Sequence, residues 1–403
     1  MTGILEAILF IADFLLWLFM AGSVVYVCFF AVASLFYRGK ESEEKPHSTL
    51  KERPSFLVLY PAYHEDAVIL HSVHEFLRTD YPNDRYRLAV ISDHMTPSTN
   101  DALAALPLTL LQPQFEKSSK AKALQYAIQH VVGHYDYVVI LDADNVVHPD
   151  FLTRLETLCA QGYQAIQCHR TAKNSDNDIA VLDGVSEEIN NSLFRRAHNA
   201  IGLSSALIGS GMCFRYEWFR NNVGKLSSAV EDRELETQLA KQKVFVKYAD
   251  DIYVLDEKVS NADTFQRQRL RWMTGQVQTL LLMLPYLPKA ILTGNLNYID
   301  KTLQQLLIPR SILIVALLLL SLLSTIVSFL PFFTLHSSLF TLKWWLLFLA
   351  LCLSLVIALP RQLRKRAVLG RVTALPHLVW RLVKNIFQID HRNTDFIHTT
   401  HTK

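Results

Sequence analysis

Tyr137-Val138-Val139-Ile140-Leu141-Asp142-Ala143-Asp144 is the stretch that decides the fold. Its first five residues are apolar and rich in β-branched side chains. The run is too short for a buried helix and reads as a strand buried on both faces. Two acids follow at once. Working outward, residues 56–60, 87–92, 164–168 and 244–247 read as further strands, and residues 66–78, 117–132 and 149–160 carry helical patterns. Strands separated by helices of that length imply parallel pairing in an α/β sheet. Such sheets bind ligands beyond the carboxyl ends of their strands. At those ends stand Tyr63-His64-Glu65-Asp66, then Asp93-His94, then Asp142-Ala143-Asp144. One aspartate at a strand end is commonly a turn former or a helix cap. Acids at successive strand ends point instead to a site. Along an extended chain, Asp142 and Asp144 would project the same way. Paired carboxylates repel unless a cation or proton lies between them, and hard oxygen ligands suit Mg2+ or Mn2+.

The rest of the 403-residue chain is of another kind. Half of it is hydrophobic and 19% is charged, below the usual share of about 25%. Residues 14–37 and 311–330 contain no charged side chain and are long enough to cross a hydrocarbon core of about 30 Å; residues 344–359, also uncharged, are slightly short but are extended by the apolar residues before Lys343. Acids precede the first run and Arg38 and Lys40 follow it, the opposite of a signal peptide. The placement of Lys and Arg (Arg38, Lys40, Lys45, Arg310, Arg361, Arg364, Lys365, Arg366) predicts an outside amino terminus, a cytoplasmic middle and a cytoplasmic carboxy terminus. Trp344 and Trp345 would lie at a membrane interface. From Ala262 to Leu287 the pattern turns basic, then apolar, as in an interfacial helix; residues 380–384 form a second candidate. The resulting division is 1–40 first span, 52–260 α/β domain, 261–304 interfacial helices, 305–360 two further spans and 361–403 a basic tail. A net charge of +3, with no long basic stripe, argues against nucleic acid. Five scattered cysteines without a C-x-x-C pair make a poor disulfide or zinc framework and read as reduced thiols.

With these residues in hand, the chain resembles the family 2 glycosyltransferases, especially the membrane-embedded branch containing cellulose, chitin and hyaluronan synthases. The motifs occur in order. Tyr63-His64-Glu65-Asp66 looks like Y-N-E-D, and Asp93 like the nucleotide-base aspartate. Lys120 to Gln125 looks like G-K-x-x-A-L-N without its glycine. Asp142 and Asp144 form D-x-D, and Gly209-Ser210-Gly211 resembles the G-S/T-G segment. Val230-Glu231-Asp232 looks like T-E-D, and Gln268-Arg269-Leu270-Arg271-Trp272 matches Q-x-x-R-W completely. His64, His94, Ser119, Gln125 and Val230 depart from the pattern but spare its charged centres. The tail 396–403 is faintly like a gating loop.

The resemblance implies a GT-A nucleotide-sugar-binding domain and inverting transfer from a nucleotide diphosphate sugar, with UDP as the nucleotide. The acceptor would be a growing β-linked polysaccharide or, as the alternative, a lipid-linked acceptor in a single transfer; a non-catalytic nucleotide-sugar sensor is the reading from another class. Asp232 would be the base, with Glu231 beside it. Tyr63, Glu65, Asp93, Lys120, Asp142, Gln268 and Arg271 would bind the donor. Asp144 and Asp142 would hold Mg2+ or Mn2+, and Trp272 with Gly209, Ser210 and Gly211 would meet the acceptor. Expected partners are the donor, the acceptor, membrane lipids and further membrane secretion subunits, at a cell inner membrane.

Overall fold

The computed structural model describes residues 2–37, 53–174, 177–228, 230–259, 261–329, 337–360 and 363. Eight strands form one sheet: β1 (Phe56–Tyr63), β2 (Tyr86–Asp93), β3 (Thr109–Leu111), β4 (Tyr137–Ile140), β5 (Val146–Val147), β6 (Ala165–Ala172), β7 (Met212–Arg215) and β8 (Val246–Asp256). Their order is β3-β2-β1-β4-β7-β6-β8-β5. The half from β3 to β4 is parallel throughout, as the strand–helix alternation predicts. Beyond β4 the expectation of parallel pairing needs correction. β7 runs antiparallel to both β4 and β6, and β5 antiparallel to β8. The segments β3, β5 and β7 are too short to announce themselves by pattern, and β8 continues well past the expected residue 247.

Strand alternation builds a layer on each side. Phe56, Val58, Tyr60, Val90 and Val139 pack against the helices Ile69–Phe76 and Phe151–Ala160. Leu57, Leu59, Ile91, Val138 and Ile140 pack against Lys120–His130, Tyr216–Val223 and Glu231–Lys241. The helix starts are chemically set. Ser119 caps Lys120–His130 by accepting from the Lys122 N–H at 3.2 Å, and Asn261 caps Ala262–Met283 by accepting from the Asp263 N–H at 2.8 Å.

Among the described residues, three helices are long and apolar enough to cross a membrane: Phe10–Phe36, Arg310–Ser328 and Phe340–Ala358. They converge on Val24, Val27, Leu313, Leu317 and Leu351, and this apolar seam also takes in Leu193 and Ala197 of the α/β domain. Trp344, expected at a membrane interface, turns its ring inward. It is buried between the spans and donates its indole N–H to Asp13 at 3.2 Å. Lys343 pairs with the same carboxylate. The tail, with its gating-loop and helix candidates, and the basic residues at 38, 40, 45, 361 and 364–366 lie outside the described residues.

Candidate active site

The register of β1 on β2 pairs Tyr63 with Asp93 at the carboxyl edge. Beyond each strand the chain turns through a histidine in left-handed conformation, His64 with φ 54° and His94 with φ 57°. Asn tolerates that region far better than most residues, which explains why a family motif can place Asn where His64 stands. His94 Nδ1 lies 2.6 Å from Asp93 Oδ1, and its ring centroid is 5.6 Å from that of Tyr63. Asp66 is diverted from the site. It accepts from the Thr96 N–H at 2.8 Å and so ties the two loops together.

After β4, Asp142-Ala143-Asp144 is a turn and not an extended segment, closed by the Asn145 N–H on the Asp142 carbonyl at 3.0 Å. The two carboxylates therefore diverge in environment. Asp142 is partly exposed and paired with the Lys120 ammonium. Asp144 is buried and accepts from the Glu257 N–H at 2.7 Å and from Asn145 Nδ2 at 3.3 Å.

Lys120, at the first turn of its helix, is the cation of this end. It also donates to the Gly209 carbonyl at 2.6 Å and lies 3.4 Å from Glu231 Oε1. Burial would lower its pKa; Asp142, Glu231 and Asp232 overcome that and hold it above the ordinary lysine value. Glu231 shows the converse balance. Burial lifts its carboxyl to about 7, with Lys120 opposing and Asp232 and Asp142 adding to the rise. Sequence reasoning left open which way Glu231 faces; it faces the same space as Asp232.

The helix Ala262–Met283 brings Q-x-x-R-W to this edge because Gly275 lets it lie against Val230. A β-carbon there would come within 2.5 Å of Val230 Cγ1. Gln268 Oε1 is buried without a hydrogen-bond partner, an acceptor left open toward the site. The Arg269 guanidinium covers the Trp272 ring at 4.4 Å and pairs with Asp183.

A cavity of about 1210 Å³ joins these groups. Every residue expected in the site lines it except Ser210 and Gly211. Those two are drawn into the sheet. Ser210 is fully buried, and Gly211, at φ 61°, would put a β-carbon 2.9 Å from Val254 Cγ2. Neither lines the cavity, while Gly209 does.

Sequence reasoning missed a second polar group on the wall. Arg170, Asp256 and Lys258 line the cavity. Arg170 Nε donates to Glu187 at 2.7 Å, and Lys258 Nζ donates to Asp256 at 2.6 Å and also pairs with Glu187. Asp256 closes β8, so reading that strand to its end would have flagged it by the same strand-end rule that found Asp93. Among the described residues no group of three or more His, Cys, Asp or Glu forms a ready cation cage. The donor set still fits a hard divalent ion in its chemistry: Asp142 and Asp144 offer carboxylate oxygens on the cavity wall.

Residues 54–275 match the family described as Glycosyltransferase like family 2. The chain belongs to that family. Among curated relatives, the beta-monoglucosyldiacylglycerol synthase of Nostoc sp. is 24% identical over 272 residues, 66% of this chain and 57% of that protein. Glucomannan 4-beta-mannosyltransferase 7 of Arabidopsis thaliana is 23% identical over 271 residues, 62% of this chain and 47% of that protein. The chain thus spans about half the length of these relatives. Among solved structures, the mannosyltransferase PcManGT from Pyrobaculum calidifontis, in complex with GDP-Man and Mn2+, superposes with a TM-score of 0.51 at 18% identity, covering 92% of this chain and all of that one. This likeness shows the shared GT-A fold. The family-2 domain here is joined to three helices of membrane-spanning length and apolarity.

Proposed function

We propose that this family-2 protein transfers a sugar, with inversion, from a nucleotide diphosphate sugar to a lipid-borne acceptor at the membrane. The observation that carries the reading is the continuity of the cavity. It starts at Asp93 and Asp144 and runs on between the spans, where Ile314, Leu318, Leu319 and Leu355 line it. Polar walls at one end suit a nucleotide diphosphate; apolar walls at the other suit a hydrocarbon chain.

In this reading Tyr63 and Asp93 hold the base, UDP being the preferred nucleotide through the family resemblance. Arg271 offers a planar guanidinium to the diphosphate. Asp142 and Asp144 are the residues that would hold Mg2+ or Mn2+, and such an ion, when bound, neutralises charge on the departing diphosphate. Asp232 accepts the proton of the acceptor hydroxyl. Glu231, buried beside it, and Lys120 set the local charge. Gln268 Oε1 accepts from a sugar hydroxyl, and Trp272 offers its aromatic ring to the sugar. The α/β domain faces the cytoplasm and the spans lie in a cell inner membrane.

A growing β-linked polysaccharide is the second reading. The complete Q-x-x-R-W sequence favours it, as does the activity named for the Arabidopsis relative. The test is nucleotide release by purified protein over a panel of nucleotide sugars with Mg2+ and Mn2+, for wild type and Asp232→Asn. Equal release by both would remove the enzyme and leave a nucleotide-sugar sensor. Products that stay with the lipid fraction as single-sugar adducts support the lipid acceptor; a ladder of lengths on a gel supports the polymer.

A further inference from the structure

The neck of the cavity, where the α/β domain meets the spans, holds two arginines that hydrogen-bond only to neutral acceptors among the described residues. Arg195 is 4% exposed. Its Nη1 donates to Asn191 Oδ1 at 2.9 Å, and its Nε is buried without a partner. Arg310 opens the second span. Its Nη2 donates to the Ser186 carbonyl at 3.2 Å and to Asn190 Oδ1 at 2.7 Å, with Ser186 Oγ at 3.5 Å. All these acceptors are neutral. The charged neighbours that act on Arg310 are Arg269 and Arg195, both cations. The acids that act on Arg195 are Glu187 and Glu236. Glu187 is already engaged by Arg170 and Lys258, and Glu236 lies 3.2 Å from Lys301. Arg269 is matched by Asp183. Two guanidiniums are left over at the edge of an apolar bundle, a costly arrangement unless an anion joins them.

Both arginines line the cavity. From Arg310 the wall continues along the span through Ile314, Leu318 and Leu319, a length of about 13 Å at 1.5 Å per residue. Leu355 and Leu359 line it from the third span.

We propose that Arg195 and Arg310 form the headgroup site for a phosphate-bearing lipid whose hydrocarbon chain lies along Ile314, Leu318 and Leu319. Guanidinium forks suit phosphate oxygens in two-point contact. Charge at the neck and apolar walls beyond it are the two halves of an amphiphile's imprint. This rests on the lipid reading of the cavity and specifies the ligand as anionic. The lipid is either the sugar acceptor itself or a neighbour that positions it.

The test uses the full chain in phosphatidylcholine nanodiscs with phosphatidic acid or diacylglycerol as a minor component. Retained lipid is read by native mass spectrometry for wild type, Arg195→Gln, Arg310→Gln and Arg310→Lys, with UDP binding measured in parallel. Wild type should retain phosphatidic acid over diacylglycerol. Each Gln variant should lose about tenfold of that preference, as expected for one charge-assisted contact, while Arg310→Lys keeps most of it and UDP affinity stays constant. Equal retention of phosphatidic acid by wild type and both Gln variants would overturn the proposal. So would a loss of UDP affinity in the folded Gln variants, which would assign the arginines to the donor, or displacement of the lipid by equimolar inorganic phosphate. If a Gln variant fails to fold, equal retention of the two lipids by wild type overturns the proposal on its own. Retention with no sugar transfer to any lipid sinks the transfer reading and leaves this site standing. When transfer does occur, label on the retained lipid marks it as acceptor, and label on another lipid marks it as the neighbour; both support the site.

Discussion

The two halves of the sheet solve different problems. From β3 to β4 the strands are parallel, their buried cores are apolar, and Asp93 and the acids after β4 stand at the carboxyl edge. From β7 to β5 the directions are mixed, and charges are buried inside: Arg170, Glu187, Asp256 and Lys258 in one cluster, and His169 with Glu188, joined by the half-buried Asp250, in another. The first half presents chemistry on a rigid shelf. The second couples the sheet to the helix Asp178–Asn191 and, through Asp183 and Arg269, to the helix bearing Q-x-x-R-W. Rigidity by packing and rigidity by ion pairing fail in different ways, so substitutions can separate them.

The largest effect is expected where the shelf meets the reaction. Asp232→Asn should lower transfer by about 10²–10⁴-fold, the usual contribution of a general base, with little change in Tm; a steady-state rate measurement with a melting curve checks both. Glu187→Gln strikes the other half. It leaves Arg170 and Lys258 short of a carboxylate in a buried place, and breaking such a cluster costs about 3–5 kcal/mol, visible as a fall in Tm. Any loss of rate should follow that fall.

His169 gives the comparison a pH axis. Burial would lower its pKa, but hydrogen bonds to Asp250 and Glu188 overcome it and lift it to about 9. The folded state therefore holds a proton that the unfolded chain releases near 6.5. That stabilisation is complete below about pH 6.5 and is lost as pH rises through about 9, up to roughly 3 kcal/mol in all. Tm should fall across this interval in wild type and stay flatter in His169→Gln.

A smaller effect links the halves. Gly275→Ala would force Val230 and the Q-x-x-R-W helix apart, since the new methyl has no room. Overpacking of this kind costs about 1–3 kcal/mol. The rate should drop more than stability does, and adding Val230→Ala should recover both.

The same contrast sets what was legible in the sequence. Continuous apolar runs ending in acids announced β1, β2 and β4 and the residues Asp93, Asp142 and Asp144, because a doubly buried parallel strand leaves no other reading. The antiparallel β7, four residues long, and β5, two residues long, carry too little pattern. Of the buried cluster only Asp256, at the end of β8, could have been read; Arg170, Glu187 and Lys258 look like ordinary surface charges until the chain is folded. The D-x-D motif was found but misdrawn, since spacing alone does not reveal the Asn145 turn that separates its two carboxylates. Arg310 was noticed only as a marker of orientation, though it is the polar end of an apolar wall.

A reaction chamber whose far wall is made of membrane helices is never screened from the medium that surrounds them. Extraction is therefore a chemical event for this molecule. On the lipid reading proposed above, a surfactant whose tail slips past Leu318 and Leu355 would compete, and its head group would decide how strongly it is held. Activity compared across zwitterionic, neutral and anionic surfactants of equal chain length would follow the head, and reconstitution into bilayer should restore what the micelle removed.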